Sequence, residues 1–279
     1  MIQAPLQEVT EANRPGDTLG AIHQSINSHM QAMWVIVEDE PDVLVYSKFF
    51  STNRLNVRSS SINKRKSCKN VEKIVDTILH ENYDKIIGIR DRDSVDFLVP
   101  AYTPKKNVYL TDQRDIEMQM LKSDRVVSSL KQKDSDIEQK IENVKPIAKA
   151  IGCYRIFNDI KEFGYSFNKK LKIGRFRDDN AHVLKQNALV ELDSSFFEGK
   201  TEQDRDNFNN LKELCDEKEF ALICNGHDFL ALLDCLATIP HLKEFLPQCY
   251  DMDAFKQSTL YTDLKNWADS NNVSLFEGT

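Results

Sequence analysis

Apolar and polar positions run through the first part of the chain in two rhythms. Leu19, Ile22 and Ile26 recur at helical spacing, which predicts a short helix within residues 17–33. Met33-Trp34-Val35-Ile36-Val37 is then an unbroken apolar run that stops at Glu38-Asp39-Glu40. A short run bounded by polar residues suits a strand buried on both faces, as parallel strands are. Pro41 fits the first turn of a helix, next to acids that suit a helix N-terminus, and this helix is expected to run through Val45 and Phe49. Residues 55–58 read as a second strand, and residues 85–89 and 107–110 as a third and fourth. In between, Val71, Ile74, Val75, Ile78 and Leu79 form the stripe of an amphipathic helix, with Asn70 as its expected cap.

After Glu117 the pattern changes. Residues 123–151 are polar and helical, with a sparse stripe of Val126, Leu130, Ile137, Ile141 and Val144, and residues 201–215 form a second polar helix. Residues 220–224 are expected to return a short strand, followed by a helix at 228–237 and helices around Phe255 and Leu264. Apolar strands alternating with helices point to an α/β parallel sheet. The expected organisation is an N-terminal helical extension over 1–33, an α/β domain over 34–122, and a mainly helical region over 123–279 that packs on the sheet.

Composition adds bounds to this picture. A hydrophobic fraction of 41% supports a real core. No apolar run approaches the ~20 residues of a membrane span, and the start of the chain is polar, so no membrane association and a cytoplasmic location are expected. The six cysteines are scattered without a C-x-x-C pair, which suits reduced thiols rather than zinc or disulfides. The net charge of −7 runs against a generic nucleic-acid binder. Two local stretches are basic, residues 54–73 and 169–177. Lys64, Arg65, Lys66, Lys69, Arg175 and Arg177 are the candidate nucleic-acid contacts within them, against the plainer reading of two solvated loops.

Chemistry enters at the strand ends. Glu38 follows the first strand, Asp91 and Asp93 the third, and Asp112 with Glu117 the fourth. In a parallel sheet those ends share one edge, where ligands bind. Carboxylates gathered there repel unless a cation sits among them, and hard oxygen donors suit Mg2+ or Mn2+. One acidic strand end alone is an ordinary polar turn; three together are less readily so.

The order of these segments resembles the TOPRIM family. Val35-Ile36-Val37-Glu38, followed by Asp42, Tyr46 and Phe49-Phe50, is similar to its first motif; Ile86 through Asp93 is similar to its Asp-x-Asp strand; and Asp115-Ile116-Glu117 looks like its later acidic element. Ile151 through Arg155, Phe167 through Arg177, and Asn225-Gly226-His227-Asp228-Phe229-Leu230 look like the middle and late regions of one subfamily. That subfamily includes the nuclease subunit of the PARIS anti-phage system and is related to the overcoming-lysogenization-defect nucleases. The resemblance covers most of residues 30–240 and departs at Asp39, where the family has glycine.

The resemblance implies a TOPRIM (Rossmann-like) sheet and a Mg2+- or Mn2+-dependent endonuclease acting as a toxic effector in antiviral defence. Glu38, Asp91, Asp93 and Glu117 are the implied metal ligands, and Glu38, Asp91, Asp93 and His227 the candidate catalytic residues. His227 would contact a scissile phosphate or orient a metal-site acid; a structural histidine is an equal alternative. The implied substrate is nucleic acid, tRNA ahead of DNA, with an ABC-type ATPase as partner and a homodimer as the active state. Two other readings stay open. Glu38-Asp39-Glu40-Pro41-Asp42 also looks like the start of a response-regulator receiver, and a non-catalytic binding subunit would keep the same fold.

Overall fold

The structure is a computed structural model that describes residues 15–28, 32–51, 55–60, 68–98, 102–167, 173–176, 184–185 and 187–276. The chain divides into two compact units that interleave in sequence. An α/β unit comprises Met1–Asp91, Thr103–Thr111 and Asp251–Thr279, and a helical unit comprises Arg92–Tyr102 and Asp112–Tyr250. No single cut point, at residue 122 or elsewhere, separates them.

The α/β unit opens with helix α1, Pro15–Asn27, and strand β1, Met33–Val37. Helix α2, Glu40–Tyr46, strand β2, Leu55–Ser59, helix α3, Cys68–His80, strand β3, Ile86–Arg90, and strand β4, Val108–Leu110, follow in order. Among the described residues the sheet has four strands in the order β2-β1-β3-β4, every pairing parallel, with Val35 opposite Val57 on one side and Ile87 on the other. The expected α/β, Rossmann-like parallel sheet flanked by helices is therefore the fold, with a mainly helical region after it.

Burial follows strand order. The central strands β1 and β3 are buried at every position, and the edge strands β2 and β4 only in part. One face presents Trp34, Ile36, Ile86 and Val108, and α1 and α3 cover it with Ile22, Val71, Ile74, Val75 and Ile78. Gly88 permits that approach: a Cβ there would lie 2.6 Å from Val71 Cγ1. The two-residue period sends Val35, Val37, Ile87 and Ile89 to the opposite face.

The chain's last part belongs to the same unit. Phe255 stacks on Phe49 at 4.5 Å between centroids, and Phe276 on Phe50 at 5.5 Å. From the C-terminal helix Thr259–Ser270, Trp267 Nε1 donates to Asn107 Oδ1 at 3.1 Å, and Asn107 in turn donates to the Ile86 carbonyl at 3.0 Å.

The helical unit contributes α4, Ile116–Leu121, α5, Ile137–Lys161, α6, Glu202–Asp216, α7, Phe220–Ile223, and α8, Gly226–Asp234, among other helices. Here several expectations need correction. The strand expected at 220–224 is the helical turn α7, whose Leu222 and Cys224 amides return to the carbonyls of Glu219 and Phe220, each at 3.0 Å. A short apolar run has no period that separates a strand from a buried helical turn. The polar helix expected over 123–151 is two helices, Asp124–Lys133 and α5, broken where Asp134 turns its carboxylate to Lys140 and the Thr238 amide. In the α/β unit, α2 ends at Tyr46 before reaching Phe49, and α3 starts at Cys68, so Asn70 lies inside its first turn and is not its cap.

Candidate functional site

In the α/β unit the sheet's order reverses between β1 and β3: β1 leads out to β2, and the chain returns to the other side for β3. Ligand crevices of doubly wound sheets lie at the carboxyl ends of strands at such a switch point. Glu38 follows β1 and Asp91 follows β3, and the Asp91 amide donates to Glu38 Oε1 at 3.1 Å. Glu38 is 8% exposed. Its backbone is pinned as well, since Ser60 Oγ donates to the Glu38 carbonyl at 3.2 Å and the Ser60 amide to the Val37 carbonyl at 2.8 Å.

A buried cation backs this end of the sheet. Arg90, the last residue of β3, is 5% exposed and bonds Glu72 of α3 at 2.5 Å, while its Nε donates to the Asp91 carbonyl at 3.2 Å. The pair fixes the backbone from which Asp91 departs.

Asp39 stands where the resembling family has glycine, yet its φ of −143° is extended backbone open to any residue. Its side chain accepts the Asp42 amide at 3.3 Å, and Asp42 accepts the Asp39 amide at 3.2 Å. This reciprocal cap starts α2. The extra carboxylate therefore has a structural task.

Asp93 and Glu117 belong to the helical unit. Asp93 has a φ of +50°, which aspartate tolerates better than most residues, and its amide donates to the Arg114 carbonyl at 2.8 Å. Glu117 lies in the first turn of α4, with Asp115 as N-cap. One Asp115 oxygen accepts the Met118 amide at 2.9 Å and the other the Gly226 amide at 2.6 Å. Burial, and then the neighbouring Glu117 charge, push the Asp115 carboxyl up to about 7.

Gly226 opens α8 and lies against both acids. A Cβ there would be 2.4 Å from Asp115 Oδ1 and 2.5 Å from Glu117 Cβ. His227 Nδ1 is 3.1 Å from Glu117 Oε1 and 3.2 Å from Lys243 Nζ. Those contacts ask opposite proton states of Nδ1, so the one made sets the tautomer. Asn225, not His227, caps α8, accepting the Asp228 amide at 3.2 Å. Asp228 takes a two-pronged bond from Arg155, with Nη2 to Oδ1 at 2.7 Å.

The structure thus brings Glu38 to Asp91 in one unit and Glu117 to His227 in the other. Among the described residues no group of three or more His, Cys, Asp or Glu side chains gathers to hold a metal ion. Sequence reasoning passed over Ser60, the Arg90–Glu72 pair, the buried Arg114, and Asp115 as a cap; of these only Asp115, an acid just before an apolar helical run, carried a readable signal. Lys69 is exposed on α3, Arg175 lies in the 3-10 turn Ile173–Phe176, and Lys64, Arg65, Lys66 and Arg177 lie outside the described residues. No described helix is long and apolar enough to cross a membrane. No protein-family model matches the chain, and no curated protein matches it either.

Proposed function

We propose that the chain is a TOPRIM-type, divalent-metal-dependent phosphodiesterase that cuts nucleic acid internally. The observation that carries this reading is the 3.1 Å hydrogen bond from the Asp91 backbone amide to Glu38 Oε1, which ties the two acid-bearing strand ends together at the switch point of a parallel sheet. Two buried or half-buried carboxylates with fixed backbones are the donor type Mg2+ and Mn2+ take. Mg2+ commonly binds through one or two carboxylates, several waters and substrate phosphates, so a pair suits it. Glu38 and Asp91 would hold the ion, with Asp93 and Glu117 as the further ligands that the motif resemblance implies. When bound, the ion supplies Lewis acidity at the phosphoryl oxygen and a more acidic water. Glu38 then stands as ligand and general base, kept in place by the Asp91 amide and Ser60. His227, with Nδ1 3.1 Å from Glu117 Oε1, would orient that acid or contact the scissile phosphate.

The wider reading comes from the resemblance: a cytoplasmic toxic effector of anti-phage defence, dimeric when active, cleaving tRNA ahead of DNA and restrained by an ABC-type ATPase. The net charge of −7 fits an enzyme with low non-specific attraction to phosphates. The strand order β2-β1-β3-β4 also occurs in receiver-like doubly wound sheets, which keeps signalling as the second reading.

The test uses Glu38→Ala and Glu38→Gln with tRNA and duplex DNA, with Mg2+ or Mn2+ and with a chelator. Both variants should fold and lose cleavage by at least about 100-fold, the upper end of what a metal's outer-shell partners cost. Cleavage at the wild-type rate in either variant removes the assignment. Stable phosphorylation of Asp84 or Asp91 by acetyl phosphate would move the chain to signalling, and intact RNA and DNA under every condition would leave a binding subunit.

A further inference from the structure

The helical unit contains a polar cavity of about 310 Å3 whose lining the chemistry above touches only at Asp93. Arg155, Asn158 and Asp159 of α5 line it, with Ser166, Asn225 and Asp93. What each side chain offers depends on what already engages it. Asn158 Oδ1 accepts the Tyr165 amide at 2.8 Å, and Asn225 Oδ1 accepts the Asp228 amide at 3.2 Å. Backbone amides only donate, so both side-chain amides are oriented carbonyl-first, with their NH2 groups left over. Arg155 commits Nε and Nη2 to Asp228 and lies 4.6 Å over the Phe167 ring, which leaves Nη1 as a donor. Asp159 accepts Ser94 Oγ through Oδ2 at 3.2 Å, which leaves Oδ1 as an acceptor.

Three nitrogen donors thus suit an acceptor-rich group, and two carboxylates, Asp159 and Asp93, line the cavity with them. A bare oxyanion would use the donors and meet the carboxylates as like charges. A sugar phosphate uses both, because phosphate oxygens accept and sugar hydroxyls donate. A volume of 310 Å3 is at the small end of ligand sites, which run about 300–1,000 Å3, and leaves room for one such group.

We propose that this cavity binds one ribose phosphate, with the phosphate on Arg155, Asn158 and Asn225 and the ribose 2′-hydroxyl on Asp159. The site goes beyond the acidic chemistry proposed above and does not require it. The same chemistry is offered by a free ribonucleotide and by an RNA chain.

The experiment uses the full chain with chelator present, so that nothing is cut. Calorimetry compares AMP, 2′-deoxy-AMP and inorganic phosphate, and fluorescence anisotropy compares an RNA oligomer with DNA of the same sequence. AMP should bind about tenfold more tightly than 2′-deoxy-AMP, the scale of one hydrogen bond to a charged group, and more tightly than phosphate. Asp159 is exposed, so Asp159→Ala should fold, and it should erase the ribose preference. Asn158→Asp keeps the acceptor for Tyr165 but turns donor into anion, and should weaken AMP by tenfold or more. A preference confined to AMP supports a free ribonucleotide, and one shared by the RNA oligomer supports an RNA chain. Equal binding of AMP and 2′-deoxy-AMP, a preference surviving Asp159→Ala, or unchanged AMP affinity in Asn158→Asp overturns the site. Glu38→Ala, altered in the other unit, should keep the preference. A protein with that preference and no nuclease activity keeps this site and loses the nuclease reading; a nuclease without it does the reverse.

Discussion

The two units hold their acids by different means. In the α/β unit, Glu38 and Asp91 hang from the ends of adjacent strands, and polar bonds fix the backbone around them: Ser60 to Glu38, and the Arg90–Glu72 pair behind Asp91. In the helical unit, Asp115 and Glu117 are held by close approach, with the start of α8 laid against the start of α4 and no room for a side chain at Gly226. The first arrangement depends on charge compensation and the second on shape. They should therefore fail under different substitutions.

The largest effect is expected from Glu72→Ala. It removes the Glu72 carboxylate from the Arg90 guanidinium, which is 5% exposed, and breaking a buried pair costs about 3–5 kcal/mol. Chemical denaturation measures it, and a loss below about 1 kcal/mol would show that the pair is not what supports this end of the sheet. Replacing both partners with apolar residues should restore most of the loss.

Gly226→Ala comes next. Its Cβ would stand 2.4 Å from Asp115 Oδ1, and overpacking of this kind costs about 1–3 kcal/mol. Gly88→Ala is the matched control in the α/β unit, where the obstructing atoms are Val71 and Val75 methyls that can shift. A larger loss for Gly88→Ala than for Gly226→Ala would break the contrast between the units.

The smallest effect concerns pH. Burial raises the Asp134 carboxyl, but the Lys140 and Thr238 hydrogen bonds outweigh it and leave the carboxyl below its usual value of 3.8. An acid depressed on folding adds stability above its unfolded pKa, and the gain disappears as pH falls through the folded value. Wild type should lose stability relative to Asp134→Asn as pH drops below about 4, read from paired thermal melts. Parallel melting curves down to acid would remove Asp134 as an electrostatic tie.

Much of the α/β unit was legible in the chain. Val35-Ile36-Val37 and Ile86 through Ile89 announce buried strands because they are rich in β-branched residues and bounded by polar ones, and the acid after each run then falls at a strand end. The departure at Asp39 was visible but its meaning was not, since only the backbone shows that extended φ removes the need for glycine. The helical unit resisted reading for a different reason. Gly226 and Asp115 are 111 residues apart, and no local pattern in either segment names the other. The Arg114 bonds to the Ile223 carbonyl and the Ser94 hydroxyl are equally distant in sequence or invisible to periodicity. Even the helical turn α7 could pass for a strand until its amides found their carbonyls.

The bond from Trp267 to Asn107 has a consequence for how the chain is made. Its two residues are separated by 160 positions, with nearly all of the helical unit lying between them. At ribosomal speeds of about 5–20 residues per second, β4 leaves the tunnel about 8–30 seconds before the helix that will cover it. During that interval the helical unit can form while the sheet waits with an uncovered edge. A nascent chain stalled before Trp267 should therefore display a protected helical unit beside a protease-sensitive sheet, an order of maturation opposite to the order in which the two begin.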